Sequence, residues 1–206
     1  MQNKSTIALT EDEQLALKNV QFFINKQSAT KKIQEQFHFL KDNLSNEAQH
    51  HLSIIPKEAD VTTGRIFRGE NYNGLPYIML DFPRMFNKTD VFSFRNMCWW
   101  GMNYSFTLHL SGKSLEVFRN KILDNIHRLK GNEFYFCIND NPWEYHFEED
   151  NYKSLDHLLK QNSSLPSNEM FQQDFLKLSR KLDISCWDEI IHYGTQTFCL
   201  CMELLK

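Results

Sequence analysis

The sequence predicts a single α+β domain, with a mainly antiparallel sheet of about six strands, a helical hairpin before it and further helices after it. Three observations lead there. Apolar residues recur at helical spacing near both ends, the middle of the chain alternates with a period of two, and short turns join the alternating runs. Strands joined by short turns are antiparallel, which leaves the helices to gather on one face of the sheet. A chain of 206 residues suits one domain, and 41% hydrophobic residues supply a core without a disulfide or metal staple. The expected divisions are N-terminal helices over about 11–51, a sheet with an inserted helix over about 64–148, and C-terminal helices over about 152–205.

Thr10 followed by Glu13 is a capping-box pair, so a first helix is expected from about Glu11 to Lys26 and a second from near Ser28. In the second, Ile33, Phe37, Leu40 and Leu44 fall four, three and four apart, which is one helix face. From about Gly64 the period changes. Asn73-Gly74 between alternating runs predicts a tight hairpin, and a two-residue turn there would set Phe67 opposite Leu80, on one face with Ile78 and Phe82.

The next two runs are 91–97 and 104–110. For Phe92 and Phe94 to share a face with Tyr104, Phe106, Leu108 and Leu110, paired residue numbers must sum to an even number. That requires an odd loop such as Trp100-Gly101-Met102. The opposite face then holds Ser93, Arg95, Ser105, Thr107 and His109.

An amphipathic helix is expected over 114–130, capped by Gly131. A third hairpin with an aromatic core face is expected from Phe134 to Ile138 and from Trp143 to Phe147 around Asn139-Asp140-Asn141-Pro142. The remainder is expected to form helices near Leu155 to Gln161, Glu169 to Leu182 and Cys186 to Leu205, broken at Leu165-Pro166 and at Gly194.

Composition excludes several classes of function. The 23 basic and 26 acidic residues leave a net charge of −3, which lacks the basic footprint of a nucleic-acid binder. No run approaches the ~18 apolar residues of a membrane helix, and the first dozen residues lack a signal-peptide core, so a soluble cytoplasmic protein is expected. Five cysteines, an odd and scattered set, are expected to be reduced thiols. No HExxH, paired CxxC or EF-hand loop predicts a metal site, and no Walker, Gly-x-Ser-x-Gly or Gly-x-Gly-x-x-Gly motif predicts a cofactor or a nucleophile elbow.

What remains is the polar face of the central hairpin. Arg95, Thr107 and His109 offer a fixed cation, a hydroxyl and a titratable imidazole, a set suited to a small polar or anionic ligand. Trp99 and Trp100 would rim the site, and Arg84 beyond Asp81-Phe82-Pro83 would assist, unless Asp81 and Arg84 simply pair with each other. The alternative is a metal-independent hydrolase or transferase, with His109 as general base, Arg95 stabilising negative charge and Asp81 or Glu70 orienting the imidazole. A third reading is a scaffold or immunity-type protein with an apolar surface that includes the Trp99-Trp100 tip. Trp143 is expected in the core.

Overall fold

The computed structural model describes residues 7–161 and 173–206. The elements in chain order are α1 (Glu11–Lys18), α2 (Val20–Gln49), β1 (Arg65–Tyr72), β2 (Leu75–Phe86), β3 (Val91–Trp99), β4 (Asn103–Ser111) and α3 (Gly112–Asn125). They continue with β5 (Tyr135–Cys137), β6 (Tyr152–Ser154), α4 (Leu155–Gln161), β7 (Phe175–Asp183) and α5 (Ile190–Leu204). All strand pairs are antiparallel, and the sheet order is β1-β2-β3-β4-β7-β5-β6. The α+β class holds, with seven strands in place of about six.

The predicted stripe of α2 is the one that packs: Ile33, Phe37, Leu40 and Leu44 are all buried against the sheet. Phe92, Phe94, Phe106, Leu108 and Leu110 meet them from β3 and β4, and α5 adds Phe198, Cys201 and Met202. The β3–β4 register is the one the even-sum argument requires, with Trp99 opposite Asn103 and Gly101 at φ +73 in the three-residue loop.

Several expectations are corrected. The first helix stops at Asn19, and α2 then runs unbroken through Ser28, so the chain does not turn back into the expected helical hairpin. Asn19 caps α2 with its own side chain, accepting from the Phe22 N–H at 3.0 Å. In β1–β2, a register shift between Gly69 and Tyr72 sets Phe67 opposite Met79, so Phe67 packs on the face away from the helices while Ile78, Leu80 and Phe82 stay in the core.

The stretch 143–147 is not a strand. It belongs to a strap, residues 139–151, that crosses the second face of the sheet, and β5 pairs with β6 instead. Tyr72 Oη accepts the backbone N–H groups of Tyr145 and His146 at 2.6 and 3.1 Å, satisfying donors that a strand ladder would have used. Trp143 is 49% exposed rather than in the core.

The chain expected to be helical up to Leu182 is β7 over its described part, inserted between β4 and β5. α5 runs unbroken through Gly194, where a Cβ would stand 2.7 Å from Phe106 and 3.0 Å from Leu40, so glycine there serves close packing. The break expected at Leu165-Pro166 lies outside the described residues.

Candidate functional site

The second face of the sheet is largely buried, with an apolar cluster of Met79, Met97 and Trp99 at one end and polar side chains over the rest. Two cross-strand rows run over it. One is Asp81–Arg95–Thr107–Ser179–Tyr135, and the other is Arg84–Ser93–His109–Lys177. Asp81 and Arg84 are three apart and would face opposite ways on a regular strand. The register shift between them places Phe82 and Pro83 in a bulge and brings both pairing positions onto these rows.

Arg95 and Asp81 form a bidentate pair, Nε to Oδ1 at 2.6 Å and Nη2 to Oδ2 at 2.7 Å, with the side chains only 9% and 3% exposed. Nη1 donates to the Tyr145 hydroxyl from the strap. Burial opposes the charge on Arg95, yet the Asp81 carboxylate outweighs it and holds the guanidinium above its ordinary pKa. In place of the expected Asp81–Arg84 pair, Asp81 is committed to Arg95. Glu70 pairs with Lys26 of α2. Thr107 and Ser179 share a hydrogen bond at 2.8 Å one step along the row.

Lys177 is fully buried and has no carboxylate partner among the described residues. Its ammonium donates to the Glu144 carbonyl and lies 5.0 and 5.2 Å from the ring centres of Tyr145 and Tyr152. Cys137 stands opposite it by continuation of the β5–β7 register. Burial lowers the Lys177 pKa to about 8, the Cys137 thiol opposing part of the fall. The face therefore encloses two cations and one carboxylate.

His109 stands between Ser93 and Lys177 in the second row, at the edge of the strap. Its ring stands edge-on to Trp143 and Phe175, with centroids 5.5 and 6.0 Å away. The residue is 1% exposed, and its Nδ1 is buried with no hydrogen-bond partner among the described residues. Burial, followed by the charges of Lys177 and Arg95, lowers its pKa to about 3.

His109 lines a cleft of about 600 Å³ between the strap and the start of α3, with Lys88, Arg119, Ser111 and Trp143 around it. Gly112 builds the corner of that cleft. At φ +56 it lets the Thr89–Asp90 backbone approach so closely that a Cβ would stand 1.9 Å from the Thr89 carbonyl oxygen. Asp90 then accepts from the Ser114 N–H at 3.0 Å, holding the loop to α3. Asp90, Glu116, Asp140 and Asp174 also line the cleft, so its wall is mixed in charge.

Of the residues singled out in the sequence, Arg95, Thr107 and His109 do share one covered face, but His109 alone among them lines the cleft. Arg84 lies on the same row as His109, its Nε buried without a partner among the described residues. The two tip tryptophans diverge. Trp99 donates to the Tyr72 carbonyl at 3.2 Å beneath the strap, while Trp100 lines an apolar groove on the helix side. Lys177, Ser179, Cys137 and Tyr145 were not anticipated. A signal existed for two of them: Leu176, Leu178 and Leu182 alternate with Lys177, Ser179 and Lys181, a strand pattern that a helical reading overlooks.

Among the described residues no group of three or more His, Cys, Asp or Glu side chains could hold a metal ion, and no helix is long and apolar enough to cross a membrane. No family model, curated protein or solved structure matches the chain.

Proposed function

We propose that the protein is a binding domain for a small polar ligand that carries an anionic group, received in the cleft at the His109 end of the covered sheet face. The observation that carries this reading is His109 itself, a buried imidazole with an orphaned ring nitrogen, set in a cleft wall that also presents Lys88 and Arg119. Arg95 and Lys177 lie behind it as an excess of buried positive charge, the field an anion would relieve. Arg95 and Thr107 act from beneath. The carboxylates along the wall favour a ligand with a polar or cationic group beside its anion.

The hydrolase or transferase reading is less well supported. An imidazole whose pKa is lowered to about 3 is a weak proton acceptor. Asp81, its intended orienting partner, gives both oxygens to Arg95.

Inorganic phosphate is the simplest probe. Titrated into the full chain and followed by NMR of the His109 ring, it is expected to produce a saturable shift and to raise the His109 pKa. Lys88→Ala with Arg119→Ala should weaken the binding about tenfold or more, the loss of charge-assisted contacts worth about 1.5–3 kcal/mol. Absence of any saturable change at His109, or an affinity indifferent to both rim cations, overturns the reading. Arg95→Ala is a poor test, because it strips Asp81 of its partner.

A further inference from the structure

Residues 7–25 are exposed throughout, although they form helix over most of their length. Leu15, Leu17, Val20, Phe22, Phe23 and Ile24 are each 49–67% exposed. The stripe that buries Thr30 and Ile33 leads back in steps of three and four to Lys26, Phe23 and Phe22. So the core-facing side of α2 continues past the end of the sheet with nothing beneath it among the described residues. An eight-residue helix and a free overhang of this kind are marginal in water unless another surface covers them.

The surface to cover them lies next to the overhang. Ala29, Ile33, Cys98, Trp100, Tyr104 and Trp187 line an apolar groove of about 400 Å³ with Lys32 at its edge. Lys31 and Lys32 are exposed and make no ion pair within the chain among the described residues. The first turn of α1 is acidic, with Glu11 and Asp12 outside the capping box that occupies Glu13.

We infer that two copies of the chain associate about a two-fold axis near Phe22, each laying its α1 arm into the partner's groove beside Trp100. A two-fold axis there runs the arms antiparallel. Asp12 and Lys32 are each ten residues from Phe22, a rise of about 15 Å for helical residues, with Asn19 the non-helical residue between α1 and α2 on the Asp12 side. The acidic turn of one arm is thereby brought to the basic pair of the other, and one leucine of α1 to the groove, since Leu15 and Leu17 lie on opposite sides of that helix. Each half-exposed apolar side chain offers on the order of 100 Å². About three of them face one side of each arm, and with an equal area of groove surface covered on each partner the total reaches the ~1,200 Å² at which stable interfaces begin. A two-fold contact uses the same patch twice, which is why one chain carries both the arm and the groove.

Sedimentation velocity of the full chain over micromolar to hundred-micromolar concentrations tests this. The expected species has twice the chain mass of 24.6 kDa. Phe22→Glu with Phe23→Glu, both at exposed positions in the single chain, should dissociate it at least a hundredfold more readily while leaving the thermal unfolding of the sheet domain in place. Lys31→Glu with Lys32→Glu should weaken it about tenfold, and adding Glu11→Lys with Asp12→Lys should restore it. A monomer at every concentration overturns the proposal. So does a dimer indifferent to the two phenylalanines, or one that the paired charge reversals fail to rescue.

Discussion

The two faces of the sheet are built by the same strands and are both largely buried, yet they hold themselves together in opposite ways. On the helix side, Phe92, Phe94, Phe106 and Leu108 meet α2 and α5 through non-directional apolar contact. On the strap side, Arg95, Lys177, His109 and Asp81 are sealed under a length of loop, so each polar atom needs a named partner. The apolar face can adjust to small changes in shape. The polar face responds steeply to the loss of a single partner, and the His109 ring nitrogen, which has no hydrogen-bond partner among the described residues, lies beside the cleft.

The largest test of that contrast is Asp81→Ala, which leaves the Arg95 guanidinium buried and uncompensated. It should cost about 3–5 kcal/mol in urea unfolding, whereas Asp81→Leu combined with Arg95→Met should recover most of the loss. A cost like that of a surface substitution would break the comparison. Next is Lys177. Its folded pKa of about 8 lies below the ordinary 10.5, so the unfolded chain holds the extra proton between those values and stability rises with pH across them. The rise should be roughly 3 kcal/mol and should be missing in Lys177→Met. Tyr145 and Tyr152 have raised pKa values that work the other way, so the difference between the two proteins is the quantity to measure.

His109 gives the same sign in acid. Its pKa is depressed from 6.5 to about 3, so the stability present above pH 6.5 is lost as the pH falls toward 3. The slope should reach roughly 1.4 kcal/mol per pH unit. His109→Gln should flatten that part of the acid unfolding curve. A wild-type slope retained in the variant would mean that other groups, such as the hydrogen-bonded Asp60 carboxylate, govern acid sensitivity. The smallest effect belongs to the apolar face. Ile122→Val, fully buried, should cost about 0.5–1.5 kcal/mol by thermal unfolding. A larger loss would show that this face is no more forgiving than the other.

Local periodicity carried a good part of this architecture. The stripe Ile33, Phe37, Leu40 and Leu44, the odd loop at Gly101, and the grouping of Arg95, Thr107 and His109 on one face follow from spacing alone, because spacing decides which side chains point together. The boundary at Asn19 is not legible in spacing, because a capping residue inside a continuous amphipathic pattern is a weak stop. The strand at 175–183 reads as helix in the sequence because its alternation is short and follows a stretch that also fits helical spacing. Trp143 to Phe147 alternate as a strand would, yet their donors and side chains are satisfied by Tyr72 and Arg95 from distant parts of the chain.

The sequence by itself therefore determined the fold class, the helix face that meets the sheet, and the central register. These rest on contacts between residues near in the chain, or on parity. The tertiary structure alone decided that β7 enters between β4 and β5, that the strap seals the polar rows, and that Lys177 lies buried next to His109. Each of those depends on a pairing between segments separated by scores of residues. Such a pairing leaves no trace in local spacing, because its free energy appears only when the two segments meet.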